Sequence, residues 1–155
     1  KTKHRGLELS LQAQASDSIL ISTNVSWARH LYDFDRILGR GEVIRKGNDI
    51  DTAPIWLGSL RAKWEPLSDK AIEAEWVYQG GYFLDAANAH QYGGHNLINI
   101  RAWMALKNTQ HLLSLRLNNI LDTRYAERAD FAFGNYRYFP GAGRVISMEW
   151  QYRRQ

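Results

Sequence analysis

Apolar and polar side chains alternate with a period of two along most of this 155-residue chain. Leu7, Leu9 and Leu11, for example, are each followed by a polar residue. A period of two is that of a β-strand with one apolar and one polar face, whereas the 3.6-residue period of an amphipathic helix is hard to find. The sequence therefore predicts an all-β protein.

The alternation marks about seven antiparallel strands, many of about ten residues or more, whereas strands of soluble sheets typically have about five or six. The predicted strands run through residues 7–12, 19–33, 55–64, 72–79, 98–107, 113–118 and 146–153. Short connections, at residues 15–18, 65–69 and 107–110, alternate with long ones, at residues 33–54, 83–94 and 122–142. In an up-and-down meander this order puts the short turns at one end and the long loops at the other, as in outer-membrane β-barrels.

The positions of tryptophan and tyrosine favour a membrane barrel over a soluble sheet. Trp56 and Trp64 share a parity and stand about 26 Å apart along a strand, or about 20 Å along the axis of a barrel whose strands tilt by about 40°. That separation matches an apolar band with an aromatic girdle at each rim. Taken singly, each Trp also fits the core of a soluble sheet. The residues predicted at the membrane interfaces are Trp27, Trp56, Trp64, Trp76, Trp150 and Tyr152.

Composition argues against several other classes of protein. The chain has no cysteine, which excludes disulfides and thiolate metal sites. Its 20 Lys and Arg are scattered among 16 Asp and Glu, so the net charge of +4 does not indicate a nucleic-acid partner. No run of about 18 apolar residues predicts a transmembrane helix.

Seven strands are too few to close a membrane barrel, because the smallest such barrels have about eight. An open sheet would also leave two edges of unpaired backbone groups. We therefore expect the chain to be a piece of a larger barrel, and the lack of a Met or leader before Gly6 agrees with this expectation.

Two stretches near the end of the chain resemble a known family. "NNILDTRYAE" ends the penultimate predicted strand, and "YRYFPGAGRVISMEWQY" leads into the last one. Together they resemble the C-terminal end of TonB-dependent outer-membrane receptors, and residues 5–34 resemble the recurrent hairpin of that family. A Pro-Gly-x-x-Arg element alone has no specificity, but the ordered set covers nearly the whole chain. The residues that match the family motifs are Asn119, Leu121, Asp122, Tyr125, Pro140, Gly141 and Arg144.

The resemblance implies an antiparallel up-and-down transmembrane β-barrel of about 22 strands, of which this chain would be about seven C-terminal ones. Residues 1–155 would then all belong to the C-terminal portion of the barrel, and the plug domain, the earlier strands and the segment that contacts TonB would lie upstream. The implied location is a Gram-negative outer membrane, with the C-terminus on the periplasmic side. The family commonly ends on an aromatic assembly residue, so either Tyr152 has that role or the assembly signal is atypical.

The implied function is TonB-energised uptake of a scarce ligand, with a ferric siderophore as the first expectation. Haem, cobalamin or an oligosaccharide would use the same architecture, and a soluble β-barrel that binds an apolar ligand is a further alternative. Outer-membrane lipid and lipopolysaccharide are expected partners as well. Arg and aromatic side chains on long loops suit anionic or catecholate ligands, although aromatic packing among the loops explains them equally well. The predicted ligand-binding residues are His90, Tyr92, His95, Tyr136, Arg137 and Tyr138.

Catalysis finds little support in the sequence, and no catalytic residue, metal or cofactor is predicted. His111 and Ser114 differ in parity, so they would point to opposite faces of one strand. Of the five histidines, only the loop pair His90 and His95 has a spacing that suits metal ligands, and loop histidines are usually just solvated. "GRG" at Gly39 and "GAG" at Gly141 lack the strand and helix of a dinucleotide site.

Overall fold

Eleven β-strands make up the regular structure in a computed structural model that describes residues 1–39, 43–106 and 110–152. They are β1 (Thr2–Ser16), β2 (Ile19–Tyr32), β3 (Arg36–Ile37), β4 (Val43–Ile44), β5 (Trp56–Leu67), β6 (Lys70–Phe83), β7 (Gln91–Ala105), β8 (His111–Asn118), β9 (Ala126–Ala132), β10 (Asn135–Pro140) and β11 (Val145–Tyr152). Among the described residues, no helix is long and apolar enough to cross a membrane.

Seven strands form one antiparallel sheet in the order β1-β2-β5-β6-β7-β8-β11. Each strand pairs with the strand that precedes it among these seven, which is the up-and-down order that the sequence predicts. The all-β antiparallel fold is therefore confirmed. Two short turns, at Asp17–Ser18 and Ser68–Asp69, lie at one end of the strands, which we name the turn end. The long connections lie at the opposite end of the strands, which we name the loop end. The predicted turn at residues 107–110 lies largely outside the described residues.

The strand register sorts the side chains onto two faces. One row across five strands joins Leu11, Thr23, Leu60, Trp76 and Ile98, and it defines the apolar face. Large side chains on this face are exposed, as on a surface that meets an apolar solvent rather than a core. All six aromatic residues expected at membrane interfaces belong to it, namely Trp27, Trp56, Trp64, Trp76, Trp150 and Tyr152.

The opposite, polar face carries a hydrogen-bonded ladder that crosses several strands. Arg61 of β5 donates from Nε to Oε1 of Glu75 in β6 at 2.7 Å. Asn99 of β7 donates from Nδ2 to Oε2 of the same carboxylate at 3.0 Å, and its own Oδ1 accepts the N–H of Asn119 at 2.9 Å. Both oxygens of Glu75 are therefore engaged, and the ladder extends from β5 to the residue that follows β8.

The loop predicted at residues 83–94 is much shorter in the structure, because β6 continues to Phe83 and β7 begins at Gln91. Glycines in this part of the sheet, one of them within the predicted loop, let the two strands approach each other closely. A Cβ on Gly94 would lie 2.2 Å from the carbonyl oxygen of Gln79, and a Cβ on Gly81 would lie 2.7 Å from that of Tyr92. Gly94 also has φ of +81°, a backbone conformation that residues with a side chain disfavour.

Other boundaries differ from the sequence expectation too, and β1 spans Thr2–Ser16 where the sequence predicts residues 7–12. The turn expected at residues 65–69 is shorter, because β5 runs through Pro66 with an irregularity in pairing between Trp64 and Leu67. The long stretch at residues 122–142 contains a hairpin of β9 and β10. Its turn places Phe133 at φ +54° and Gly134 at φ +78°. A bulky residue such as Phe rarely adopts this conformation, so of the two residues only Gly134 is typical of such a turn.

Three lysines surround the carboxylate of Asp33, directly after β2. Nζ of Lys3 lies 3.0 Å from Oδ1 of Asp33, Nζ of Lys46 lies 3.2 Å from the same atom, and Nζ of Lys1 lies 3.7 Å from Oδ2. The Asp33 side chain is only 8% exposed, whereas those of the lysines are 62–80% exposed. This group ties the start of β1 to the connection between β4 and β5.

We expect the Asp33 carboxylate to stay ionised in acid. The neighbouring Lys3 and Lys46 hold its pKa at about 2, below the ordinary 3.8. The ion pairs therefore contribute fully to stability above pH 3.8, and their contribution is lost as the pH falls through about 2. The ¹³C shift of the carboxyl group, followed from about pH 5 to about pH 1, should report this midpoint, and Lys3→Gln should raise it. A midpoint near 3.8 in the unaltered protein would contradict the expectation.

Candidate functional site

The loop end of the sheet carries the candidate site, and two of its connections are joined there by asparagine side chains. Nδ2 of Asn48 donates to the carbonyl oxygen of Ala86 at 2.9 Å. The N–H of Asp49 donates to Oδ1 of Asn88 at 2.7 Å, and Nδ2 of Asn88 donates back to the carbonyl oxygen of Asp49 at 2.8 Å. These bonds hold the β4–β5 and β6–β7 connections together as one unit.

The hairpin of β9 and β10 is hydrogen-bonded to two tyrosine hydroxyls of the main sheet. Tyr82 of β6 accepts the N–H of Ala129 at 2.8 Å, and Tyr92 of β7 accepts the N–H of Ala126 at 3.0 Å. Tyr82, Ala126 and Ala129 are buried together with Leu84 and form an apolar core beneath the hairpin. The hairpin is thus docked against the main sheet by both packing and hydrogen bonds.

Five rings lie together above this core and form what we name the aromatic rim, comprising His90, Tyr92, Phe131, Tyr136 and Tyr138. The ring of His90 stacks on that of Phe131, with centroids 3.6 Å apart, and meets Tyr136 edge-on at 5.3 Å. The rings of Tyr136 and Tyr138 are nearly parallel at 6.2 Å and about half exposed. Exposed aromatic planes of this kind can stack on a flat ligand or bind a cation over their faces.

A buried carboxylate fixes the orientation of His90 in the rim. Oδ1 of Asp85 accepts the backbone N–H groups of Ala89 and His90 at 2.9 and 3.0 Å. Its Oδ2 lies 2.9 Å from Nδ1 of His90. Because an ionised carboxylate only accepts hydrogen bonds, we assign a proton to Nδ1. Asp85 therefore fixes the orientation of the His90 ring.

Charged residues line a cavity of about 370 Å³ beside the rim. Asp130, which is buried, accepts from Nε of Arg137 at 2.5 Å and from a guanidinium nitrogen of Arg128 at 3.2 Å. Two carboxylates of other connections, Asp51 and Asp85, line the same cavity. The side chains of the two arginines are about half exposed. Each therefore presents solvent-accessible N–H donors to which an anionic group could bind.

The stretch after β8 closes the base of the hairpin connection. The buried Asn119 accepts the N–H of Thr123 at 2.9 Å, and its Nδ2 donates to the carbonyl oxygens of Thr123 and Ala142 at 2.9 and 3.1 Å. Oδ1 of Asp122 accepts the N–H of Arg144 at 2.8 Å. Residues 119–123 are thereby tied to residues 142–144, and we name this arrangement the loop latch.

Tyr125 links the loop latch to the rim. Its ring lies against Gly141, where a Cβ would come within 2.1 Å of the ring, and its centroid lies 4.5 Å from that of His95. Nδ1 of His95 in turn lies 3.1 Å from the hydroxyl of Tyr92. The motif residues Asn119, Asp122, Tyr125, Gly141 and Arg144 thus meet in space, whereas Leu121 is 65% exposed and Pro140 ends β10.

The structure brings the six predicted ligand-binding residues to the loop end, but not all of them lie in loops. Only His90 lies in a connection, while Tyr92 and His95 lie on β7, so the predicted loop position of these two is wrong. β10 carries Tyr136, Arg137 and Tyr138. Arg137 lies on the face opposite that of the two tyrosines and pairs there with Asp130 of β9. Sequence reasoning missed Asp85, Arg128 and Asp130. The signal that could have indicated these residues is a charged residue isolated within an apolar stretch, as in "FLDAA" and "ADFA".

The described part of the chain has no cluster of three or more metal-ligating side chains, and its one candidate His–Ser pair does not converge. Among residues 1–39, 43–106 and 110–152, no group of three or more His, Cys, Asp or Glu side chains could hold a metal ion. His111 contacts the ring of Trp150 on the apolar face, where Nε1 of Trp150 donates to Nδ1 of His111 at 3.2 Å. Ser114 opposes Glu149 on the polar face, so the two residues lie on opposite faces as expected.

Comparison with solved structures shows the same fold in three receptors. The siderophore receptor PiuA from Acinetobacter baumannii is 19% identical with a TM-score of 0.74, and the match covers 97% of this chain and 22% of that receptor. The ferric citrate transporter FecA is 19% identical with a TM-score of 0.76, covering 95% and 23%. The ferric yersiniabactin uptake receptor FyuA from Yersinia pestis is 13% identical with a TM-score of 0.77, covering 96% and 23%. This chain thus spans less than a quarter of each receptor.

Comparison by sequence gives the family. No curated protein sequence matches the chain. A family model described as "TonB dependent receptor-like, beta-barrel" matches residues 1–120, which is most of the chain. The long antiparallel strands, their two faces and the asymmetric connections agree with that match. The chain therefore belongs to the TonB-dependent receptor family, within its β-barrel.

Proposed function

We propose that this chain is the C-terminal portion of a Gram-negative outer-membrane receptor that imports a ferric siderophore with energy delivered through TonB. Family membership supports the proposal, as do matches that cover 22–23% of three receptors. In this proposal the plug, the segment that contacts TonB and the strands that complete a barrel of about 22 lie upstream. The apolar face meets lipid, the polar face lines the lumen, and the C-terminus is periplasmic.

The observation that carries the ligand class is the aromatic rim beside Arg128 and Arg137 at the loop end. Ferric siderophores combine flat or catecholate groups with negative charge, which suits stacking on tyrosines and pairing with guanidinium groups. Relatives of the same fold are named as a siderophore receptor and a ferric citrate transporter. Haem, cobalamin and oligosaccharides are alternative ligands that the same experiment separates.

The experiment is a binding screen of the intact receptor that contains this chain. The purified receptor is titrated with ferric catecholate, hydroxamate and carboxylate siderophores, haem, cobalamin and oligosaccharides. Saturable binding of a ferric siderophore and not of the others would support the proposal, whereas selective binding of haem or cobalamin would replace the ligand. For the position in a longer protein, the coding sequence upstream should encode a plug domain and further alternating strands, and its absence would contradict the proposal.

Replacing both rim tyrosines should weaken ligand capture. Tyr136→Ala with Tyr138→Ala removes two parallel half-exposed rings, and we expect affinity for the siderophore to fall by about 10- to 100-fold. Ile37→Ala is a suitable control, because Ile37 is a 76% exposed apolar residue on β3, outside the aromatic rim. Equal siderophore affinity in the double variant and the control would show that the aromatic rim is not part of the binding site.

A further inference from the structure

Two histidines face each other across β1 and β2 near the loop end. His4 is opposite His30 in the register of the two strands, and their Nδ1 atoms lie 2.7 Å apart. The carbonyl oxygen of His30 accepts the N–H of Ile50 at 2.8 Å, on the side of β2 away from β1. His4 and His30 are therefore a non-hydrogen-bonded pair of the ladder, the kind in which opposite side chains are closest. The register of two long strands thus fixes the rings together.

The histidine pair lies on the polar face of the sheet. Even-numbered residues of β1 share this face with even-numbered residues of β2. The next pair along this face is Gly6 with Ala28, and these small residues leave room beside the two imidazoles. His4 is exposed and His30 is partly buried, so a small solute on this face can reach both rings.

The hydrogen bonds of the pair leave a nitrogen lone pair for a ligand. Two N–H groups cannot point at each other across 2.7 Å, so at most one proton lies between the Nδ1 atoms. Oγ1 of Thr2 lies 2.8 Å from Nε2 of His4 and can accept its N–H. On this basis we assign the proton of His4 to Nε2, which leaves its Nδ1 as an acceptor. Metal-ligating histidines are held in the same way, with the second ring nitrogen donating to an oxygen.

The distance between the two nitrogens suits ligation of one ion. Two imidazole nitrogens that lie about 2.0–2.1 Å from an ion, at a right angle to each other, are about 2.9 Å apart. The observed Nδ1–Nδ1 distance of 2.7 Å, with ring centroids 5.0 Å apart, is close to that value. An ion would take the place of the proton between the rings, and that proton would move to Nε2 of His30. Imidazole suits divalent transition metals, among which Cu²⁺ has the highest affinity.

We propose that His4 and His30 form a two-imidazole site for a divalent transition-metal ion, with Cu²⁺ bound most tightly and Thr2 orienting the ring of His4. Within the part of the chain that the structure describes, no group of three or more ligating side chains is present, so water completes the coordination. The site goes beyond the proposed function. It is built on β1 and β2, whereas the aromatic rim is built on β7, β9, β10 and the β6–β7 connection.

Titration of the intact receptor with Cu²⁺ tests the site, with no polyhistidine tag and no siderophore present. We expect one saturable ion whose EPR spectrum shows two nitrogen ligands. H4Q and H30Q should each weaken its binding by more than about 100-fold, beyond the effect of losing an outer partner. T2V should weaken it by about tenfold, and T2S, which keeps the hydroxyl, should restore it. The control H111Q removes a histidine from the apolar face and should bind Cu²⁺ normally.

A second measurement needs no variant. Cu²⁺ should protect His4 and His30 of the unaltered receptor from diethyl pyrocarbonate, as read by mass spectrometry of their peptides, whereas Mg²⁺, which prefers oxygen ligands, should not. Equal modification with and without Cu²⁺ would overturn the proposal, as would equal Cu²⁺ affinity in H4Q, H30Q and the unaltered receptor. Siderophore binding, measured on separate samples, reports on the proposed function and leaves the metal site unaffected by its outcome.

Discussion

Gly94→Ala is expected to disrupt the pairing of β6 with β7 near the loop end. The added methyl group would lie 2.2 Å from the carbonyl oxygen of Gln79 and 2.7 Å from the carbonyl carbon of Gly80. Both are backbone atoms of a paired strand, so neither can rotate away as a flexible side chain would. The backbone of Gly94, with φ of +81°, also disfavours a side chain. Overpacking and conformational strain together should cost about 2–5 kcal/mol of stability.

Gly93→Ala is the matched control for this variant. Gly93 is the preceding residue of the same strand, yet a Cβ built there meets no atom within 4 Å. Its replacement should therefore change stability by less than about 0.5 kcal/mol. Urea unfolding of the intact receptor in lipid vesicles, followed by tryptophan fluorescence, measures both. Equal midpoints for the two variants would show that the close approach of β6 and β7 does not constrain the fold.

Asn119→Ala is expected to open the loop latch. The substitution removes one acceptor and both side-chain donor bonds, and it leaves the N–H of Thr123 and the carbonyl oxygen of Ala142 without these partners. It also places alanine at φ +50°, where Asn is better tolerated. Because the site is buried, we expect a loss of about 3–5 kcal/mol, confined to the connection between β8 and β11.

Limited proteolysis and hydrogen exchange of the intact receptor test the loop latch. In Asn119→Ala, the hairpin of β9 and β10 should be cleaved and exchange its amides much faster than in the unaltered receptor. Asn118→Ala, at the adjacent and exposed position, should leave both rates unchanged. Rapid exchange confined to the hairpin would support a local role for the latch. Unchanged rates in Asn119→Ala would mean that the docking of the hairpin on Tyr82 and Tyr92 is sufficient without the latch.

The sequence predicted the sheet well because strand faces follow from a local pattern. The period-two alternation assigns the residues of the predicted stretches to a face, and the observed register keeps rows such as Leu11, Thr23 and Leu60 aligned. The asymmetry of the connections was also predictable, since it depends only on the spacing between the alternating stretches. Neither the face of a strand residue nor the length of a connection requires knowledge of long-range contacts.

The loop end was less predictable because long-range contacts determine it. The sequence assigns Gly93 and Gly94 to a loop, yet both lie in β7, and at Gly94 the backbones of β6 and β7 approach each other closely. The hairpin turn at Phe133 has a conformation that the sequence does not encode locally. Pairing of Asp130 with Arg137 depends on which faces of β9 and β10 meet, and this follows only from the register of that hairpin.

If the aromatic rim binds ligand as proposed, the docking of the hairpin on Tyr82 and Tyr92 has a kinetic consequence for ligand capture. Both hydroxyls accept backbone N–H groups from β9, and His90 is held by Asp85, so the rim is assembled in the free protein. A preorganised surface loses little conformational entropy when a ligand arrives. We therefore expect association to be a single step limited by diffusional encounter, with discrimination among ligands residing in their dissociation rates.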